Sequence, residues 1–301
     1  MDQVKYLKSS GINISIFKFS PQKNPFKYFS ARLRLSRKVK NNNFDLIHAH
    51  YGQSGFISKF KGIPLITTFH GTDIMGIVGE NGRYTFLGKV LSFISKITSM
   101  LSNHCICVSN RIASRLPKNV RRDVIPCGID TNHFRKMDKD KCKKIFNLNE
   151  EKHILFAGDP NKTVKNYKLA LESFNYFQSN SKIKAKLIPL KGYLRSEVPK
   201  LLNAVDVLLV TSFHEGSPMI VKEALSCNTP IISVDVGDVS ELINEVDGSY
   251  LVLNKTKEAI AEKLEKVFMK EVRIDKSLIE KIDLNYTNRK LLQTYKMVMG
   301  T

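Results

Sequence analysis

Two carboxylates, Glu215 and Glu223, stand eight residues apart around a Gly-Ser-Pro turn in the segment HEGSPMIVKEAL. The apolar run before Glu215 predicts a buried strand, and the residues after Pro218 predict a helix. Pro218 suits a first helical turn, where its missing N–H is not needed, and Ser217 is a good N-cap. A helix start offers free N–H groups and a positive dipole end. The segment therefore predicts a phosphate site whose two carboxylates can accept hydrogen bonds from sugar hydroxyls.

Each carboxylate also has an ordinary structural interpretation. Glu215 could cap its own loop, and Glu223 could pair on the surface with Lys222 or a helical neighbour. The combination of strand, EGSP turn, helix and second glutamate favours a ligand site over two unrelated structural roles.

Histidines follow two predicted strands in the first half of the chain. The segment TFHGTD places His70 and Asp73 at one strand end, and HAHY places His48, His50 and Tyr51 at another. A histidine at a strand end is often purely structural, and that alternative stays open. No carboxylate completes a metal-ligand pattern with these histidines, so we expect no metal site.

Short β-rich runs alternate with helical patterns throughout, which indicates an α/β fold of parallel sheets. Strands are predicted at 12–18, 45–49, 64–69, 104–108, 122–126, 153–157, 185–190, 206–211, 230–234 and 250–252. Ligands bind outside the carboxyl ends of such strands. We predict a domain over 1–145, a second over 146–282 and a C-terminal helix over 283–301 that packs on the first domain, with the polar stretch 131–150 as the joint.

The chain opens with LKSSGINISIF, which indicates the end of a helix, a turn at Gly11 and then a strand. A doubly wound domain ordinarily begins with a central strand and a glycine-rich turn. We therefore expect an incomplete N-terminal domain, through a late start or a true truncation.

Composition narrows the class of protein. The 301 residues carry a net charge of +20 and 42% hydrophobic residues, typical of a globular protein with anionic partners. No stretch is long and apolar enough for a membrane span, the N-terminus has no signal-peptide pattern, and the five cysteines are scattered, so we expect a cytoplasmic protein with reduced thiols. The basic residues form no recognised nucleic-acid module, so we expect no nucleic-acid partner.

Two amphipathic segments could contact a membrane. Residues 24–42 combine Phe26, Phe29 and Leu33 with several Arg and Lys, so peripheral contact with an anionic membrane surface at the inner face of the plasma membrane competes with packing on the sheet. For 84–101 we expect packing of its apolar side on the first sheet.

The segment EGSPMIVKEAL, followed by CNTPIISVDVGDVSELI, resembles the E-x7-E region of the retaining glycosyltransferases of family 4, which have the GT-B fold. Further family-like segments fall in the expected order along nearly the whole chain: DLIHAHYGQSG, PLITTFHGTDI, CVSN, VIPCGIDTNHF and VKNYKLALESF. The resemblance implies two Rossmann-like domains that face a cleft, and metal-independent transfer without a cofactor.

The resemblance also implies roles for individual residues. Glu215 would contact the transferred sugar, Glu223 the nucleotide ribose, and Lys165 the diphosphate as it leaves, which makes physical sense because a fixed cation stabilises developing negative charge. His70 would lie close to the donor sugar. The implied catalytic set is His70, Lys165 and Glu215; the donor-binding set is Gly158, Lys162, Lys165, Glu215, Gly216, Ser217, Pro218, Met219 and Glu223; and the acceptor-side set is His50, Tyr51, Gly71 and Asp73.

The chain departs from the family pattern at one point. Many relatives have a Gly-Arg pair before the lysine, whereas this chain has Gly158, then DPN, then Lys162. Lys162 would replace the arginine as a point charge without its planar fork.

The resemblance implies a hexosyltransferase-type enzyme that moves a sugar from a nucleoside diphosphate sugar to a glycan or lipid-linked acceptor with retention, in bacterial surface polysaccharide synthesis. The missing glycine-rich loop predicts weak or absent activity for this chain. The alternatives are a nucleotide-sugar epimerase and a non-catalytic relative that binds anions or nucleotide sugars.

Overall fold

The computed structural model of the protein describes residues 2–20, 26–79, 82–244, 246–270 and 272–300. Contacts divide the chain into two compact units. The first comprises residues up to Ile77, Tyr84–Pro126 and the chain from Leu284 onward; the second comprises Val78–Arg83 and Cys127–Asp283. The polar stretch 131–150, expected as the joint, lies in the second unit and forms a helix in its middle.

The first unit is built on a four-stranded parallel sheet of order β1-β2-β3-β4. Its elements up to Pro126 are α1 (Asp2–Ser9), α2 (Phe26–Lys40), β1 (Ile47–His50), α3 (Gly52–Phe56), β2 (Leu65–Phe69), α4 (Thr72–Met75), α5 (Phe86–Leu101), β3 (His104–Cys107), α6 (Asn110–Ala113) and β4 (Arg122–Val124).

The second unit is built on a five-stranded parallel sheet of order β6-β5-β7-β8-β9. Its elements are α7 (Lys139–Ile145), β5 (Lys152–Phe156), the 3-10 turn Thr163–Lys165, α8 (Tyr167–Asn180), β6 (Ala185–Pro189), α9 (Val198–Ala204), β7 (Val207–Val210), α10 (Met219–Ser226), β8 (Ile231–Val234), α11 (Val239–Ile243), β9 (Tyr250–Val252), α12 (Lys257–Phe268) and α13 (Lys276–Ile282). The final helix, α14 (Leu284–Met299), belongs to the first unit. The prediction of two parallel-sheet α/β domains is confirmed.

The strand predicted at 12–18 is wrong. Residues 12–20 have no strand partner, whereas each of the other predicted strands lies within two residues of its expected bounds. Ile12 and Ile14 instead pack on a cluster in which Leu7 of α1 and Leu291 of α14 cover the sheet residue Ile66. A β-rich run supplies propensity, but a strand exists only where a neighbour completes its ladder of hydrogen bonds.

The expected packing of 84–101 is also wrong. Helix α5 buries its small residues Gly88, Ser95, Thr98 and Ser99, and it leaves Phe86 83% exposed. The close approach of α3 is the reason: a Cβ atom placed on a glycine of α3 would lie 2.1 Å from the hydroxyl oxygen of Ser95. Only small side chains fit such an interface.

Helix α2 likewise buries Ala31 and Leu35 and exposes Phe26, Phe29 and Leu33. Residues 24 and 25 of the predicted amphipathic segment lie outside the described residues. Among the described helices, none is both long and apolar enough to cross a bilayer.

Candidate active site

A partly exposed ion pair lies at the carboxyl end of the second sheet. The ammonium of Lys165, at the end of the 3-10 turn, lies 2.7 Å from Oε1 of Glu215. The hydroxyl of Ser212 donates to the same oxygen at 2.8 Å. The lysine side chain is 22% exposed and the glutamate 18%, so solvent reaches a charged pair held on the rim of the sheet.

Hydrogen bonds from the loop after β7 hold the 3-10 turn beside it. The hydroxyl of Thr211 donates to the carbonyls of Lys165 at 3.1 Å and Asn166 at 3.0 Å. The amide of Phe213 donates to the carbonyl of Val164 at 2.9 Å. Asn166, with a φ of 52°, turns the chain into α8. The backbone therefore fixes the position from which Lys165 reaches the carboxylate.

Gly158 makes room for the lysine, and Lys162 stands apart. A Cβ atom on Gly158 would lie 2.9 Å from Cγ of Lys165, so the aliphatic stem of the lysine crosses this glycine. Lys162 is exposed and forms no ion pair with any carboxylate in the described part of the chain. The structure thus brings Gly158, Lys165 and Glu215 together without Lys162.

The Gly-Ser-Pro turn differs from its predicted form. Helix α10 begins at Met219 with Pro218 as its N-cap, so the expected capping by Ser217 is wrong. The Ser217 hydroxyl donates to Oδ2 of Asp238 at 2.6 Å and accepts from the ammonium of Lys222. Bonds to charged groups are roughly twice as strong as neutral ones, which explains why Ser217 leaves the cap.

Lys222, Ser217 and Asp238 form a buried network beneath the turn. The Lys222 side chain is fully buried, its ammonium lies 3.3 Å from Oδ2 of Asp238, and it donates to the carbonyl of Cys127 at 3.1 Å. Gly237 lets the two loops touch, because a Cβ there would lie 2.9 Å from Cδ of Pro218. The sequence reasoning missed Asp238 and considered Lys222 only as a surface partner of Glu223, although a Gly-Asp pair shortly after the apolar strand β8 was an available signal.

Glu223 is buried and paired with an arginine that the sequence reasoning missed. Its carboxylate, 1% exposed, accepts two N–H groups of the Arg195 guanidinium, one of them at 2.9 Å. The guanidinium lies over the Phe134 ring, 4.5 Å from its centroid. The surface pair with Lys222, one of the two structural alternatives, does not form. A ligand that used this carboxylate would share it with Arg195, whose side chain is 62% exposed.

In the first unit, three imidazoles gather at the carboxyl ends of β1 and β2. Nδ1 of His50 lies 2.9 Å from Nε2 of His70, and the Tyr51 ring centroid lies 4.7 Å from that of His70. Burial lowers the pKa of His50 and of His70 to about 4, and it holds the pKa of His48 well below its usual value. All three are therefore neutral at pH 7, when each ring offers one donor and one acceptor.

The Asp73 carboxylate is bonded to backbone amides of the surrounding loops. It is buried and accepts the amides of Gly71 at 2.8 Å, Gly52 at 3.1 Å and His70 at 3.2 Å. Burial raises the pKa of Asp73, and backbone hydrogen bonds, among them those from Gly71 and Gly52, oppose the rise. Asp73 thus fixes the loop in which Gly71 has a φ of 137°, while Tyr51 remains 47% exposed beside the histidines.

Over the described residues, no cluster of three or more His, Cys, Asp or Glu side chains has the geometry to hold a metal ion. The five cysteines are free, and burial raises the pKa of Cys105, Cys107 and Cys227 to about 12.

Solved structures define the class of the fold. Sucrose-phosphate synthase from Thermosynechococcus elongatus aligns with a TM-score of 0.77 at 16% identity, covering 95% of this chain and 82% of that one. HepE from Anabaena, solved with UDP and glucose, aligns with a TM-score of 0.69 at 15% identity, covering 97% and 88%. The two α/β units with parallel sheets are those of the GT-B glycosyltransferases.

Family models place the chain more closely. Residues 3–133 match Glycosyltransferase Family 4, and residues 142–270 match Glycosyl transferases group 1. Together the two matches span most of the chain, which belongs to the GT-B glycosyltransferases of family 4.

Two relatives illustrate the range of that family. TuaC of Bacillus subtilis, a glycosyltransferase named for teichuronic acid biosynthesis, is 26% identical over 79% of this chain and 65% of its own. The UDP-Gal:alpha-D-GlcNAc-diphosphoundecaprenol alpha-1,3-galactosyltransferase of Escherichia coli is 24% identical over 76% of this chain and 67% of its own. The chain thus spans about two thirds of the length of these relatives.

Proposed function

We propose that the protein transfers a hexose from a nucleoside diphosphate sugar to a glycan or lipid-linked acceptor, with retention at the anomeric carbon, in bacterial surface polysaccharide synthesis. Family membership and the names of the two relatives support this reaction class. The observation that carries it is the Lys165–Glu215 pair, in which the lysine of the 3-10 turn meets the glutamate between β7 and α10.

In this proposal, the donor's diphosphate lies against the start of α10, where it accepts hydrogen bonds from the backbone N–H groups of Gly216, Ser217 and Met219, since Pro218 has none. The ammonium of Lys165 neutralises the phosphate as the sugar leaves, and Glu215 accepts hydrogen bonds from the sugar hydroxyls. No side chain is proposed as a nucleophile, because the leaving phosphate helps to deprotonate the acceptor on the same face. We propose that the transfer needs no metal, since Lys165 and the helix dipole supply the positive charge.

Two assignments in the proposal come from the family resemblance, and a third, the membrane association, comes from the basic amphipathic segment 24–42. The Glu223 carboxylate binds the nucleotide ribose while it remains paired with Arg195. His70 donates a hydrogen bond to a sugar hydroxyl as a neutral imidazole. The protein associates peripherally with an anionic membrane surface, where lipid-linked acceptors are found.

Titration calorimetry with UDP- and GDP-sugars tests donor binding. Lys165→Gln removes one charge-assisted contact, about 1.5–3 kcal/mol, so we expect the Kd for the matching donor to rise about 10- to 100-fold. The matched control is Lys168→Gln, an exposed lysine in the first turn of α8, which should leave the Kd unchanged. Equal effects of the two substitutions would contradict the role of Lys165.

Product analysis separates the reaction types. Transfer to a lipid-linked or glycan acceptor with an anomeric configuration like that of the donor, read by NMR, supports the proposal. Conversion of the donor without any acceptor would indicate an epimerase. If no nucleotide sugar binds, the protein is a non-catalytic relative.

A further inference from the structure

Helix α5 presents an apolar stripe to solvent. Phe86, Leu87, Val90 and Phe93 are 83%, 51%, 37% and 64% exposed. The spacing of Phe86, Val90 and Phe93 places them on one side of the helix, opposite the small residues that pack against the first unit. Large aromatic residues exposed together are uncommon on a protein that meets only water.

A pocket of about 320 Å³ opens beside this stripe, within the first unit. Three cations line it, Lys89, Lys96 and Arg115, together with apolar atoms of Phe93 and Met75. Its wall is fixed, because the Ser92 hydroxyl donates to the carbonyl of Ile74 at 2.7 Å. No carboxylate is among the described residues that line it.

The three cations are available to a ligand. None of them forms an ion pair with a carboxylate in the part of the chain that the structure describes, and α5 itself contains no acidic residue. Two cations of α2, in contrast, already donate hydrogen bonds to backbone carbonyls of the first unit. Arg32 donates to the carbonyls of Ile57 and Lys59, and Lys38 donates to that of Ile16.

We propose that the α5 face, meaning Phe86, Leu87, Val90 and Phe93 with the pocket of Lys89, Lys96 and Arg115, docks on the anionic phospholipids of a bilayer. A headgroup phosphate occupies the pocket, and the aromatic rings enter the boundary between headgroups and acyl chains. The complementary charge and the apolar rim around it both select a lipid surface over a soluble anion. The inference rests on the membrane association proposed above, and it moves the contact from α2 to α5.

Vesicle co-sedimentation tests the surface. Wild-type protein at low salt should sediment with phosphatidylcholine vesicles containing phosphatidylglycerol and should remain in solution with phosphatidylcholine alone. Each basic residue near such a membrane contributes about 1 kcal/mol, so Lys89→Gln/Lys96→Gln/Arg115→Gln should weaken partitioning about 100-fold. Phe86→Ser/Phe93→Ser should weaken it about tenfold or more, because two rings no longer leave water.

Two control variants remove the same charge elsewhere. Lys182→Gln/Lys184→Gln/Lys200→Gln neutralises exposed lysines of the second unit, and it should reduce partitioning far less than the α5 triple variant. Arg34→Gln/Arg37→Gln/Lys38→Gln tests the rival helix α2. All substituted side chains of α5 are exposed, so circular dichroism should show an unchanged fold.

The outcomes distinguish the two levels of the proposal. Vesicle binding that survives the α5 variants but is lost in the α2 variant would overturn the α5 face alone. Absence of any binding to anionic vesicles would overturn membrane association as well, without bearing on donor binding or transfer. A loss of self-association in the phenylalanine variant with unchanged vesicle binding would reveal a contact between two copies of the chain and would also overturn the inference.

Discussion

Substitution of Lys222 by Met removes the ammonium of a fully buried lysine and keeps a long, unbranched side chain. Removing one partner of a buried ion pair destabilises a protein by about 3–5 kcal/mol, because the other charge stays uncompensated. Here Asp238 keeps its 2.6 Å bond from Ser217, so we expect a loss at the lower end, about 3 kcal/mol. Against a total of about 5–15 kcal/mol for a domain, this loss is large.

Urea unfolding followed by circular dichroism measures the loss, and hydrogen exchange of β7 and α10 localises it to the second unit. The exposed lysine Lys266, paired with Glu262 one helical turn away, is the matched control: Lys266→Met should give no resolvable change. The double variant Lys222→Met/Asp238→Asn tests the pairing itself. Because it removes both charges, its destabilisation should fall about 2 kcal/mol short of the sum of the single variants.

Two results would refute the reasoning. Equal stability of Lys222→Met and Lys266→Met would mean that the buried charge is relieved in some other way. Additive effects of the Lys222 and Asp238 substitutions would mean that these groups do not interact.

If the pair holds Ser217 in place, the folded Lys222→Met protein should also bind nucleotide sugars more weakly, since the turn before α10 loses an anchor.

Two further predictions concern the histidines and a glycine. The unfolded chain protonates its histidines below about pH 6.5, whereas the folded protein keeps His50 and His70 neutral down to a pKa of about 4. The free energy of unfolding should therefore decrease as the pH is lowered from about 6.5 to about 4, by at most about 2 kcal/mol per imidazole at pH 5. Urea melts at pH 7 and pH 5 check this, and a His70→Gln variant with the same pH dependence as wild type would contradict it. Gly237→Ala should destabilise the second unit by about 2 kcal/mol more than Gly192→Ala, because both positions have positive φ but only Gly237 faces a clash, at 2.9 Å. Thermal melts that shift equally for the two alanine variants would show that the loop yields without strain.

Local patterns in the sequence were sufficient to locate most of the sheet strands and the Gly-Ser-Pro turn. An apolar run bounded by glycine, proline or polar residues reports burial within a few residues, and it placed β7 and the start of α10 correctly to about one residue. The same approach failed at 12–18, since a strand depends on a neighbour that local propensity does not supply.

The pairing of charges was decided by the tertiary structure. Lys222 stands next to Glu223 in the sequence, yet it binds Asp238 from the following loop, while Arg195 reaches Glu223 from 28 residues away. A helix turns neighbouring residues to different sides, so adjacency in the sequence excludes many pairs, but only the packed loops determine which partner a buried charge meets.

The orientation of α5 shows most clearly what the sequence determines and what only the tertiary structure decides. Its sequence determines an amphipathic helix with large apolar residues on one side and small ones on the other. Packing chose the small side, because α3 approaches so closely that only Gly, Ser and Thr fit between the helices, and the aromatic side was left to solvent. Periodicity in the sequence therefore defined two faces, and the distance between elements determined which of them was buried.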